Sequence, residues 1–346
     1  MPEHVLTYSA LRDFRNCRRR YHNRFVREIV PVERNANLVL GDGFHRALES
    51  WFRLDVEGQT KDAEAVARIL AEIDALYKDR DASPEQRRLW HLNRAMFQGY
   101  VTHYATEPFL IVAVEKEFAA PLVNPATGRQ SRTFAMRGKV DLLVQMIGAG
   151  EFYIVEHKSA AQISGDYIDK LPLDLQVALY AHYLAQDMGI VISGVIYDVV
   201  GKAKLKQGEG ETEEEFAARR AELIAKSKTG TSSAKRKMPE SDEEYAARLA
   251  EKYDDPAMYC RETLLLSQDD IRETVAEVWE LSQQIIVARR EGKWWRNTDQ
   301  CFGINRTCPY FPLCRSNDSP NVLENFYCRK PAHSELTQET EEPATF

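Results

Sequence analysis

Apolar and polar positions fall into distinct periods along the chain, and each period predicts an element. Residues 7–27 carry apolar side chains at helical spacing behind Thr7 or Ser9 as N-cap, and 38–56 repeat that spacing. Residues 60–80 and 84–106 predict two more helices. In the second of these, Trp90, Met96, Phe97, Tyr100 and Tyr104 form a stripe suited to a core rather than to a ligand. From 110 onward the pattern shortens to β-branched and aromatic runs bounded by turn residues, predicting strands over 110–119, 132–146 and 152–158. A helix over 170–188, a strand over 190–200 and a long helix from Ser267 to Arg290 complete the series. This order predicts an α/β fold.

Composition changes the picture at two places. Between 201 and 257 the chain is highly charged and poor in large apolar residues, and EEEFAARRAEL closely resembles DEEYAARLAEK. Two copies are too few for a solenoid, so the segment reads as two short amphipathic helices flanking a mobile basic loop. There Lys226, Lys228, Lys235, Arg236 and Lys237 suit either contact with a nucleic-acid backbone or plain solvation. Residues 331–346 are acidic and polar, which predicts disorder. The 346 residues, 44% of them hydrophobic, suffice for one elaborated domain.

A net charge of −7 argues against nonspecific nucleic-acid binding by the whole surface and directs attention to local basic patches. One lies in the first helix, where Arg12, Arg15, Arg18, Arg19, Arg20, Arg24 and Arg27 interleave with Phe14, Tyr21 and Phe25. The aromatics at that spacing read as core. The opening residues lack an apolar signal core, and no stretch approaches the roughly 18 apolar residues of a membrane span. A cytoplasmic protein without membrane attachment is expected, in which disulfides rarely persist.

The chemistry concentrates in GKVDLLVQ and FYIVEHKSA, where Asp141 is followed fifteen residues later by Glu156-His157-Lys158. Both carboxylates sit in apolar, β-branched surroundings that predict buried strands. Burial there is costly unless the charges are paired or bound to a cation, so their convergence suggests a divalent metal. Lys158 lies on the same strand face as Glu156, placed to orient a water or to offset charge on a phosphate. Six cysteines, Cys17, Cys260, Cys301, Cys308, Cys314 and Cys328, complete the candidate chemistry. Cys301, Cys308 and Cys314 crowd into a loop with Gly303, Pro309 and Pro312, which suits metal ligation.

Asp141 with Glu156-His157-Lys158 resembles the D…(D/E)xK pattern of the PD-(D/E)XK nuclease superfamily. Gly41-Asp42-Gly43-Phe44-His45 is similar to the GxxxH element of its RecB-like branch, and Gln176-Val177-Ala178-Leu179-Tyr180 to its QxxxY element. One cysteine near the start and three near the end resemble the branch whose nuclease domain is closed by an iron-sulfur cluster. The motifs span residues 17–314.

This resemblance implies a restriction-endonuclease-like core, a central mixed sheet flanked by helices, with an N-terminal helical region and a C-terminal cysteine-rich segment that binds the cluster. It assigns catalysis to Asp141, Glu156 and Lys158. Mg2+ or Mn2+ would be held by His45, Asp141, Glu156 and the His157 backbone carbonyl, and DNA by Gln176 and Tyr180; from the basic patch of the first helix, Arg18, Arg19 and Arg20 are expected to join in holding DNA. Cys17, Cys301, Cys308 and Cys314 are then the ligands of a [4Fe-4S] cluster, with a structural zinc as the alternative. The Cys301–Cys308 gap is wider than the family's usual CxxC. Cys260 and Cys328 read as ordinary thiols, Cys328 being a substitute ligand candidate.

The organisation that follows is an N-terminal helical region over 1–106, a nuclease core over 107–200, a charged insertion over 201–257, a C-terminal helix and cluster segment over 258–330, and a tail over 331–346. The implied function is a metal-dependent DNA exonuclease acting on single strands or strand ends in recombination, repair or phage DNA metabolism. A CRISPR-adaptation exonuclease that processes spacers is the variant within that class. A noncatalytic DNA-end-binding or scaffold subunit is the alternative from another class. No Walker A motif is present, so any helicase partner would be a separate chain.

Overall fold

In a computed structural model describing residues 4–33, 35–303 and 306–336, a six-stranded mixed sheet separates two helical layers. Its strands are β1 (His4–Leu6), β3 (Phe109–Val123), β4 (Gln130–Met146), β5 (Phe152–Ala160), β6 (Ile192–Gly201) and β7 (Tyr259–Leu265). A two-stranded ribbon elsewhere pairs β2 (Ile29–Pro31) with β10 (Tyr327–Arg329), and β8 (Phe302–Gly303) pairs with β9 (Arg306–Thr307). β4 is the organising strand. One of its edges takes β3 antiparallel along almost its full length; the other is shared, by β1 in parallel at 134–136 and by β5 antiparallel at 142–145. β5 continues in parallel to β6, and β6 antiparallel to β7.

On one face pack α3 (Ala36–Val56), α4 (Ala63–Leu76), α5 (Pro84–His103) and α9 (Asp242–Tyr253). Phe44, Phe52, Ile69, Met96, Tyr100 and Leu249 there bury against Leu142, Val144, Val155 and Ile196. The other face is covered by α1 (Tyr8–Asn16), α7 (Leu175–Met188) and α10 (Gln268–Glu291), with Leu11, Phe14, Leu179 and Ile285 against Leu143, Ile154 and Val195. Alternate residues of β5 therefore feed alternate cores, as strand geometry requires. The aromatic stripe of α5 is core, as its spacing predicts: Met96, Phe97 and Tyr100 are fully buried.

The helix expected over 7–27 is interrupted. α1 starts at the Thr7 cap, whose side chain accepts from the Ala10 N–H, and stops at Cys17, which is extended with φ −162°. A single turn, α2 (Arg18–Tyr21), and a π-helical turn (His22–Val26) follow. The helix expected from 170 begins only at 175, because Pro172 and the capping Asp174 hold the preceding turn apart, after the short α6 (Gly165–Ile168). The charged segment contains α8 (Glu213–Lys226) as well as α9, but α9 buries Tyr245, Leu249 and Tyr253 and so belongs to the core.

Near the C-terminus α11 (Phe311–Arg315) and α12 (Pro320–Phe326) lead into β10. Ile29, Tyr310, Leu313 and Tyr327 form a small cluster joining the two ends of the chain, and the Tyr310 hydroxyl donates to the Ile29 carbonyl at 2.7 Å. Residues 331–336 depart from the expected disorder. Ala332 N–H donates to Glu28 at 3.1 Å, the His333 ring stacks on Phe25, and Leu336 is buried. The remainder of the expected tail, 337–346, lies outside the described residues.

Candidate active site and cysteine centre

The last pair of the β4–β5 ladder is Leu142 with Val155. Beyond it the strands fork, and Asp141 and Glu156 are the next residue on each arm. The fork leaves a backbone donor without a ladder partner, and Asp141 takes it: the His157 N–H donates to Asp141 Oδ2 at 2.8 Å. α3 crosses this point and brings His45 Nδ1 to 3.4 Å from Asp141 Oδ1. The His157 side chain lies on the face of β5 opposite Glu156, where its ring meets His45 edge-on and stacks on Phe52, both of α3.

Glu156 is held from two sides. Lys158 Nζ donates to its Oε1 at 2.5 Å, and Gln176 Nε2 donates to the same oxygen at 2.8 Å. Gln176 Oε1 in turn accepts from Lys158 Nζ at 3.1 Å, closing a three-membered ring of contacts. Tyr180, one turn further along α7, packs edge-on to Phe118 and Tyr8. The structure thus brings together His45, Asp141, Glu156, Lys158, Gln176 and Tyr180.

Charge in this pocket is strongly perturbed. Burial raises the Glu156 carboxyl, and the Asp141 charge adds to that effect against the opposing Lys158 ammonium. Burial also works against the Asp141 carboxylate, but His45 and His157 hold it well below the usual range. His45 is lowered by burial and raised further by Asp141 and Glu156, ending at about 9. His157, buried on the core side, is pushed down to about 4.

Two groups at this site carry no motif. Asp174 caps α7 through the Gln176 N–H and accepts the hydroxyls of Tyr8 at 2.9 Å and Tyr197 at 3.0 Å. Its position two residues before Gln176 is an N-cap signal, the only trace it leaves in sequence. Glu115, opposite Asp141 on β3, has φ 50° and pairs with Lys139.

A second convergence lies at the break after α1. Cys17, Cys301, Cys308 and Cys314 line one cavity together with Asn16, Arg20, Arg296 and Asn297. Cys17 Sγ accepts the Asn297 N–H at 3.4 Å, and the Cys308 N–H donates to the Cys301 carbonyl at 2.8 Å. Cys328 is exposed on β10 and Cys260 sits on β7; neither lines this cavity. The arginines beside Cys17 are engaged within the protein. Arg19 pairs with Asp318, Arg20 and Arg24 with Asp13, and Arg18 stacks on Phe14 and Trp295.

A model of the PD-(D/E)XK nuclease superfamily matches residues 5–315, a span that takes in both convergences. The chain belongs to this superfamily. Its α/β fold, a mixed sheet between helices, is the one such nucleases share. A solved structure titled "Putative exonuclease", from Eubacterium rectale, is similar at 10% identity and a TM-score of 0.44, over 97% of this chain and 93% of that one. No curated protein matches the sequence. No helix among the described residues is long and apolar enough to cross a membrane.

PD-(D/E)XK nucleases use divalent cations such as Mg2+ or Mn2+. Among the described residues, no three His, Cys, Asp or Glu side chains are drawn up as a closed ligand set. The donors at the fork nevertheless fit a hard cation, since Asp141 adds to the cost of ionising the buried Glu156 and a cation held by carboxylate oxygens beside a ring nitrogen would offset that cost. The cysteines likewise fit a thiophilic centre. Burial pushes the Cys314 thiol up to about 11, and neighbouring Cys308 and Cys17 push the same way, a penalty that a bound metal removes.

Proposed function

We propose that this protein is a divalent-metal-dependent nuclease that hydrolyses DNA phosphodiester bonds as an exonuclease on single strands or strand ends. The observation that carries the reading is the fork at Leu142 and Val155, which sets Asp141 and Glu156 side by side with His45 above them and Lys158 beside them. His45, Asp141, Glu156 and the His157 carbonyl would hold Mg2+ or Mn2+. The cation supplies Lewis acidity toward the phosphoryl oxygen and a nucleophile at neutral pH.

The chain's own groups do the positioning. Lys158 is kept charged: burial opposes its protonation, but Glu156 and Asp141 raise it well above its ordinary value. Its ammonium orients the attacking water and offsets charge developing on the phosphate. Gln176 fixes Lys158 and Glu156 relative to one another, and Tyr180 shapes the groove in which the DNA backbone rests. The intact set of carboxylates and lysine favours turnover over a noncatalytic scaffold. The split cysteines support membership of the RecB-like branch, with Cys17, Cys301, Cys308 and Cys314 as ligands of a [4Fe-4S] cluster or a zinc ion that holds the chain ends together.

Incubation of anaerobically purified protein with end-labelled single-stranded, duplex and circular DNA in Mg2+ or Mn2+ tests the reading. Metal-dependent release from linear single strands, with circles left intact, is expected, and Asp141→Ala, Glu156→Ala and Lys158→Ala should each abolish it. Cleavage that survives in the Glu156→Ala protein removes the assignment.

A further inference from the structure

The charged segment is an internal duplication folded about a local two-fold. Residues 208–226 and 237–255 correspond at an offset of 29. Glu211 N–H donates to the Lys237 carbonyl and Glu240 N–H to the Gly208 carbonyl, both at 2.9 Å, so the two legs exchange equivalent bonds. The side chains repeat the exchange: a Glu211 carboxylate oxygen accepts the Lys237 N–H, and one of Glu240 accepts the Gly208 N–H. Arg219 pairs with Glu211 as Arg248 pairs with Glu240. Thr212 and Ser241 each close a capping box.

The halves differ in what their helices face. α9 buries Tyr245, Leu249 and Tyr253 on the body of the protein. The equivalent positions of α8 are Phe216, Arg220 and Ile224; none is buried, and the central leucine is replaced by an exposed arginine. An arginine at the middle of that face puts a permanent positive charge there, with a planar donor fork that matches phosphate geometry. The loop that follows points the same way. Residues 226–237 hold five Lys or Arg and no Asp or Glu. Lys226 and Arg236 are spent on Glu222 and Glu213, whereas Lys228, Lys235 and Lys237 make no ion pair among the described residues.

The loop backbone is tied down: Arg219 donates to the Lys235 carbonyl at 2.9 Å, and the Ser227, Thr229 and Thr231 hydroxyls form a chain across it. The arm is rooted at the candidate site, because Lys202 N–H donates to the carbonyl of Ala160, two residues beyond Lys158 on β5.

We propose that α8 and the 226–237 loop form a nucleic-acid-binding arm that grips the phosphate backbone of the substrate strand outside the active site, with Arg220, Lys228, Lys235 and Lys237 as its contacts. The proposal rests on the nuclease reading. The arm adds affinity without touching the reacting phosphate.

The test compares the full-length Lys158→Ala protein with the same protein carrying Lys228→Glu, Lys235→Glu and Lys237→Glu. Binding of fluorescent single-stranded DNA is followed by anisotropy across a salt series. The arm variant should bind at least tenfold more weakly, and its log K against log salt slope should be shallower by about two, at about 0.7 per lost contact. Gln substitutions at the same positions should fall between. In the catalytically intact background the Glu variant should raise KM and leave kcat unchanged. Equal affinity and slope in the two proteins overturn the arm, as does unchanged DNA binding accompanied by lost self-association. If the arm proves idle while the wild-type protein cleaves DNA, the nuclease reading stands; if the Lys158→Ala parent does not bind DNA, both fall.

Discussion

His45 is positively charged at neutral pH while Asp141 and Glu156 have no cation between them, because its imidazole is held at about 9. A metal ion needs the neutral ring, so binding must expel that proton. Affinity for Mn2+ should therefore climb about tenfold per pH unit from 7 toward 9 and flatten above it, with close to one proton released per ion near pH 7.5. Calorimetry in buffers of different ionisation heat measures the release, and a pH-independent affinity would show that His45 is no ligand. Gln176 makes a second residue-scale prediction. Gln176→Leu keeps the helix face but removes both bonds that align Lys158 with Glu156. Turnover at saturating DNA should fall about 10–100-fold, as is usual when support around a metal site is lost, with an unchanged denaturation midpoint as the check that the fold survives. Asp141, Glu156 and Lys158 were legible because strand alternation and burial cost act on near neighbours. Asp174 was not, since its value comes from Tyr8 and Tyr197, which the fold delivers from 166 and 23 residues away.

At the scale of elements, the duplicated helices make the sharpest contrast. Leu249 on α9 is fully buried, and truncation to Ala should cost about 2–5 kcal/mol in urea unfolding. Phe216→Ala on the matching face of α8, at the place equivalent to Tyr245, should cost about 0.5 kcal/mol, the range of ordinary surface changes. Similar losses at the two positions would mean that α8 is packed as tightly as α9. The sequence similarity of these helices was readable, but which of them docks was not, because α9 packs on α5, far earlier in the chain. Long elements with many turns or alternations were recovered nearly to their ends. β1, β2, β7 and β10 were not, since runs of three to seven residues hold too little period and their pairing depends on partners distant in sequence. The break at Cys17 was hidden for a related reason: Asp13 receives the Cys17 N–H and Asn297 donates to its sulfur, so a loop some 280 residues away fixes where the helix stops.

At the scale of the whole molecule, α1 is braced at both ends. Tyr8 at its start donates to Asp174 beside the candidate active site, and Cys17 just past its end lies among the C-terminal thiols. If the four thiols hold the proposed cluster or zinc, Cys17→Ser should strip that metal and expose the junction between Arg18–Arg20 and Trp294–Trp295 to trypsin, while Cys328→Ser should do neither. Metal analysis and timed proteolysis read both effects, and full metal retention in the Cys17 protein would remove that residue from the centre.

The same bracing has a consequence for synthesis. β1 waits for residues 134–136, Tyr8 for Asp174, and Cys17 for a loop ending at Cys314, so the segment from β1 to Cys17 is among the last to be secured as the chain is made. A nascent chain carrying the Asp141–Lys158 strands therefore still lacks the brace that steadies Gln176. Contacts that span so much of the sequence are costly to close, so the bracing of α1 should form slowly beside the local helices and hairpins that it finally ties together.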